Sequence, residues 1–184
     1  MGLRSKDRWP TGRWRAPHGN FFAADAGQEP GPQQGCWQVP TPDFFAALPR
    51  GARRLHDRLR TDSPADRPGY TGVLTYAIDA LQTGLVPADL RAALYRALLL
   101  LPDLTMAETA PGTAGKQQRP GISLVLDDGT LRTEILIDSA NRHFAGVRRA
   151  LTRDAHGLKA GTLTESSDVN VAVVNTIGEL PAPA

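Results

Sequence analysis

The apolar residues of this chain change their period at Pro102. From Thr41 to Leu101 they return every three or four positions, and from Leu104 to Ile177 every second position. A repeat of 3.6 buries one stripe of a helix and a repeat of 2 buries one face of a strand, so the two halves cannot be the same kind of element. Helices first and strands afterwards predict an α+β domain: about four helices, then a C-terminal antiparallel meander packed on them.

The helical half is punctuated by caps. Thr41 offers a hydroxyl to the first free N–H groups, Pro42 suits the first helical position, and Asp43 complements the positive helix end. Phe44, Phe45 and Leu48 form a short apolar face before Pro49. A second helix over 52–60 buries Leu55 and Leu59. A third over 70–81 buries Val73, Leu74, Ala77, Ile78 and Leu81, and Gly84 serves as its left-handed cap. The fourth runs from Pro87 to Leu101 with Leu90, Leu94, Ala97, Leu98 and Leu101 on one side. Thr61 to Gly69 reads as a polar linker.

In the second half, 104–110 reads as a strand and 110–120 as a Gly/Pro/Gln loop. A hairpin follows, 121–126 and 131–137, with positive φ at both Asp128 and Gly129. Ile122, Leu124 and Leu126 share a face, and Leu131, Ile135 and Ile137 join it through a bulge. His143 to Thr152 gives another strand, and Val169 to Ile177 a last one after the turn at 157–161.

At 184 residues the chain fits one domain with a sizeable core. Residues 1–40 carry all three tryptophans among many Gly and Pro, with neither period, and are expected as an irregular or short-strand segment partly packed on the domain. The domain proper is 41–178, and 179–184 a disordered tail. A lone Cys36 forms no internal disulfide and leaves the redox compartment open. The net charge of +2, from 21 basic and 19 acidic residues, is too balanced for a dedicated nucleic-acid binder. No apolar run reaches the roughly 18 residues of a membrane span, and the first residues have no signal-peptide core. Read alone, the chain is soluble and carries no address.

No catalytic motif is present: neither a G-x-S-x-G elbow, nor a phosphate loop, nor a dinucleotide fingerprint. His18, His56, His143 and His156 fall in different elements without metal-ligand spacing. His143 at a strand start and Cys36 beside Trp37 are the two residues on which an enzyme reading would rest. Asp127 and Asp128 precede Gly129 and read as turn chemistry rather than an acid/base pair, while Glu134 and Asp79 stand alone. Arg8 to Arg15 interleaves two tryptophans with arginine, as a base-stacking arm would and as an edge strand would. The run Leu98 to Leu101 fits a lipid groove or, more simply, core packing. No catalytic, cofactor-binding or metal-binding residue, and no cofactor, is assigned.

Three stretches together, Thr41-Pro-Asp-Phe-Phe-Ala-Ala-Leu-Pro49, Asp89-Leu-Arg-Ala-Ala-Leu-Tyr-Arg-Ala97 running into Leu101-Pro102, and Leu158-Lys-Ala-Gly-Thr162, resemble an uncharacterised actinobacterial family. The resemblance covers roughly 41–177. It implies a membrane-anchored protein with an extracytoplasmic domain, often encoded near extracytoplasmic-function sigma factors, of which this chain is similar to the C-terminal part without the membrane helix. Membrane contact would then come only through that missing anchor. The helix-on-sheet layout is also similar to the half-barrel of periplasmic lipoprotein carriers and sigma-regulator sensor domains, which implies a half-barrel-like curvature of the sheet. The expectation is a non-enzymatic binding or sensory domain with a protein partner or an apolar ligand. The alternatives are a small enzyme and a lipid carrier.

Overall fold

The computed structural model describes residues 35–63, 70–109, 121–172 and 176, together with the backbone of two short strands, β1 (Trp14–Ala16) and β2 (Gly19–Phe21). Of the linker expected over Thr61 to Gly69, Thr61 and Asp62 instead continue the second helix, and 64–69, like the loop at 110–120 and the tail at 179–184, lie outside the described residues. Two compact units divide the chain, 1–34 and 35–184. In the first, β1 and β2 pair antiparallel, with Trp14 opposite Phe21 and Ala16 opposite Gly19.

The second unit opens on Trp37, which is buried, stacks on Tyr76, meets Phe44 edge-on and donates its indole N–H to Asp62 at 2.8 Å. Helix α1 (Pro42–Ala47) begins as its residues dictate: the Thr41 hydroxyl accepts the Phe44 N–H at 3.2 Å. Its C-terminal carbonyls are met by one side chain. Arg50 Nη1 donates to the carbonyls of Phe45 and Leu48 at 2.9 and 2.6 Å, and its Nε pairs with Asp89 at 2.7 Å. That hydrogen bond from Arg50, helped by the Leu90 N–H, holds the Asp89 carboxyl below the usual carboxylate range.

Helix α2 (Ala52–Asp62) lies against α3 (Tyr70–Gln82) and α4 (Ala88–Leu98), and its Leu55 and Leu59 are fully buried between them. Gly84 takes φ +69 just past the end of α3, as a left-handed cap requires. Helix α4 stops three residues short of the expected Leu101. There the N–H groups of Leu100 and Leu101 reach back only three residues, to Ala97 and Leu98, so the chain tightens before Pro102. Leu98 and Leu101 are consequently in the core while Leu99 and Leu100 are 45% and 43% exposed. The four-leucine run is therefore half core and half surface.

Five strands, β3 (Thr105–Thr109), β4 (Gly121–Asp127), β5 (Leu131–Asp138), β6 (Phe144–Leu151) and β7 (Leu163–Asp168), form an antiparallel meander in that spatial order. The sheet is open rather than a closed barrel, and α3 packs over β6. Leu124, Leu126, Ile135, Ile137, Phe144 and Val147 on one face join the helical leucines in a single core.

Three expectations about the strands are corrected. The β4–β5 ladder has no bulge, because Leu131, Ile135 and Ile137 already share parity: Ile135 and Ile137 pair with Leu124 and Ile122, and Leu131 follows just beyond the ladder. The bulge sits instead between β5 and β6, where Leu136 faces Gly146 and Ile137 faces Phe144; the extra Ala145 returns Phe144 to the core face. Gly146 beside it adopts φ +152, and a Cβ there would collide with the Ser167 carbonyl oxygen. In the β4–β5 turn only Gly129 has positive φ (83°), not Asp128, so the glycine is the first central residue of a two-residue loop. The last strand among the described residues is β7, and the start of the strand expected over Val169 to Ile177 is not one: the Val169 N–H still bonds the Ala145 carbonyl at 2.8 Å, but there β6 ends and 169–172 have no ladder to join, while 173–175 and 177 lie outside the described residues.

Candidate functional site

Rows of side chains run across the sheet on the face that the helices cover. Leu124, Ile135 and Val147 form one such row, apolar and buried. Two residues along each strand the next row reads Leu126, Thr133, Arg149 and Glu165. Three polar residues, Thr133, Arg149 and Glu165, thus follow a row that is wholly aliphatic. A guanidinium cannot be sealed under an apolar helix without a severe desolvation penalty. Arg149 is half-buried and ion-paired with Glu165 directly opposite on β7.

Above this row the layers separate into an open cleft of about 630 Å³. Its floor is Leu126, Leu131, Thr133 and Arg149; its roof is the first turn and a half of α3, Tyr70, Thr71, Leu74 and Thr75; its rim is Pro102, Asp103, Asp127 and Asp128. Thr133 is the most informative lining residue. It is 6% exposed, and its hydroxyl has no hydrogen-bond partner among the described residues.

The rim carboxylates are held by turn geometry. Asp127 Oδ1 accepts the Gly129 N–H at 2.8 Å, and Asp128 Oδ1 accepts those of Thr130 and Leu131 at 2.9 and 2.7 Å. This is the turn role expected of the pair. Asp103 stands in the left-handed region at φ 63, just beyond the turn that closes α4.

The residues singled out for an enzyme do not converge here. His143 is exposed in the β5–β6 turn, where its N–H donates to Asn141 Oδ1 at 2.8 Å. Cys36 is half-buried next to Trp37, and its N–H meets the Val39 carbonyl. His56 Nδ1 lies 3.2 Å from the Ala97 carbonyl, and His156 sits in a turn at φ 50. His18 lies outside the described residues. Glu134 pairs with Arg132 at 2.8 Å on the opposite face of the sheet, and Asp79 belongs to α3. Of the stretch Arg8 to Arg15, only Trp14 and Arg15 fall in a described strand. Among the described residues no group of three or more His, Cys, Asp and Glu is placed to hold a metal ion, and no helix is long and apolar enough to cross a membrane.

Sequence reading passed over Thr71, Thr75, Thr133 and Arg149. The signal for Thr133 was present: it is the single polar residue in the alternation Leu131, Thr133, Ile135, Ile137. Set against protein-family models, curated proteins and solved structures, the chain matches none.

Proposed function

We propose that the chain is a non-enzymatic binding domain and that the cleft between α3 and the β4–β5 hairpin takes a small, largely apolar molecule. The observation that carries this reading is the polar row under the cleft: a threonine more than nine-tenths buried whose hydroxyl is reached from the cleft and has no partner among the described residues, beside a half-buried guanidinium, in a floor otherwise made of leucine. Ligand sites are typically concavities of roughly 300–1,000 Å³ with apolar walls and a few placed polar groups, and the cleft has that composition. The separation of His143, Cys36 and the carboxylates favours recognition over turnover. The setting is the one implied by the resemblance: an envelope-side sensory module that reports occupancy of its cleft to a protein partner.

A fragment library screened by ligand-observed NMR against the wild type and Thr71→Trp tests this. Thr71 is exposed on α3 at the cleft mouth, so an indole there fills the entrance without entering the core. Fragments that bind the wild type and are lost with T71W are the expected result. An absence of hits, or hits that T71W retains in full, overturns the reading.

A further inference from the structure

We infer that the ligand of this cleft carries a cationic nitrogen, an amine or guanidinium, on an aromatic or branched aliphatic body. The inference rests on the binding reading and adds the ligand's charge. Four ionised side chains line the cleft: Arg149, Asp103, Asp127 and Asp128. The single cation among them is already matched by Glu165 across the β6–β7 ladder. Three carboxylates are left with no cation among the lining residues.

Their chemistry is that of acceptors with room to spare. Asp127 and Asp128 each turn Oδ1 to backbone N–H groups of their own hairpin, and neither Oδ2 has a partner among the described residues. Asp103 makes no hydrogen bond or ion pair among the described residues. The first turn of α3 opposes them with roughly half a positive charge, which the three carboxylates outweigh.

The independent observation is Thr133. The residue is nine-tenths buried, and its hydroxyl, without a partner among the described residues, is reached only from the cleft, which makes it a place for a polar atom of a bound molecule. An N–H group can donate to its oxygen. The apolar walls, Tyr70, Leu74, Leu126 and Leu131, take the body, and the rim carboxylates take the charge.

Tryptamine and indole-3-propionate share a ring and a two-carbon chain and differ in the sign of the terminal charge. Titration calorimetry of the full chain with each, at low and at high salt, tests the inference. The expected result is tighter binding of tryptamine, weakened by salt and abolished by T71W. Asp103→Asn is chosen because asparagine also tolerates the left-handed backbone. It is expected to weaken tryptamine about fivefold, the factor that one charge at contact distance is worth in water. Asp127→Asn keeps the acceptor for the Gly129 N–H and should act in the same direction, so a folding defect in one variant does not end the test.

Equal or tighter binding of the propionate overturns the inference and leaves the binding reading standing. So does binding of neutral T71W-sensitive fragments when neither indole binds. If nothing binds the wild type, both fall.

Discussion

The same two layers meet twice along this sheet, with opposite outcomes. At the row Leu124, Ile135, Val147 the helices close down and every side chain is buried; two residues further along each strand, at Leu126, Thr133, Arg149, the layers stand apart and a cleft of about 630 Å³ opens. Backbone geometry does not change between the rows, since β4 and β5 pair through both without a shift of register. Side-chain chemistry does. A leucine–isoleucine–valine row gains from losing water, whereas a row with a hydroxyl and a guanidinium loses solvation it cannot fully replace. The lesson is that the chemistry of two residues in one register row can hold two layers of an α+β domain apart.

The largest expected effect tests the sealed side. Leu94 is fully buried in α4, and Leu94→Ala removes atoms from a region that cannot collapse around the loss. Denaturant titration should show a destabilisation of about 2–5 kcal/mol with an unchanged m-value. A loss below about 1 kcal/mol would place α4 at a surface and dissolve the contrast.

The next effect is pH-dependent and belongs to the same side. Tyr95 packs half-buried against the core and donates its hydroxyl to the Arg142 carbonyl at 3.3 Å. Burial pushes its phenol well above the ordinary value, and the charge of Arg91 pulls it back only in part. The unfolded chain releases this proton at about pH 10 while the folded protein keeps it. Above that pH the unfolded state binds fewer protons, so stability falls as pH rises, and below it the contribution is complete. Unfolding midpoints measured from pH 8 to 11.5 should therefore drop less steeply for Tyr95→Phe than for the wild type. Parallel slopes would mean that water reaches the phenol.

On the open side the sign reverses. Thr133→Val exchanges an unpartnered hydroxyl for a methyl of the same shape, so stability should rise by up to about 1 kcal/mol while affinity for cleft ligands falls. A destabilised T133V would show that the hydroxyl is engaged within the protein, and the polar row would then be a structural device.

How much of this the sequence discloses depends on whether local residues or distant partners decide. The start of α1 is legible because Thr41 and Pro42 act within one turn, and so is the end of α3, because glycine at 84 takes the left-handed φ of a cap without strain. The final strand is not. Residues 163–168, Leu-Thr-Glu-Ser-Ser-Asp, show no apolar alternation, and the valines after them look more strand-like; what selects β7 is that β6 lies alongside one and has ended before the other. Thr133 in the cleft is visible as a break in alternation, but Arg149 is not. Its inward side follows from the extra Ala145, and the three-residue gap between Phe144 and Val147 is the only trace of that bulge.

The smallest expected effect bears on the end of α4, where sequence and structure part. Leu98 is fully buried and Leu99, its neighbour, is 45% exposed, although a helix continued to Leu101 and one that tightens after Leu98 read alike in composition. Leu99→Ser should change stability by no more than about 0.5 kcal/mol in the titration that registers Leu94→Ala at several times that figure. The substitution leaves intact the N–H bonds by which Leu100 and Leu101 reach back to Ala97 and Leu98, and these bonds bring Leu101 into the core and Asp103 to the cleft rim. A loss of about 2 kcal/mol or more would mean that Leu99 is covered, with α4 turned toward the solvent side and the rim carboxylate of Asp103 carried away from the row it faces.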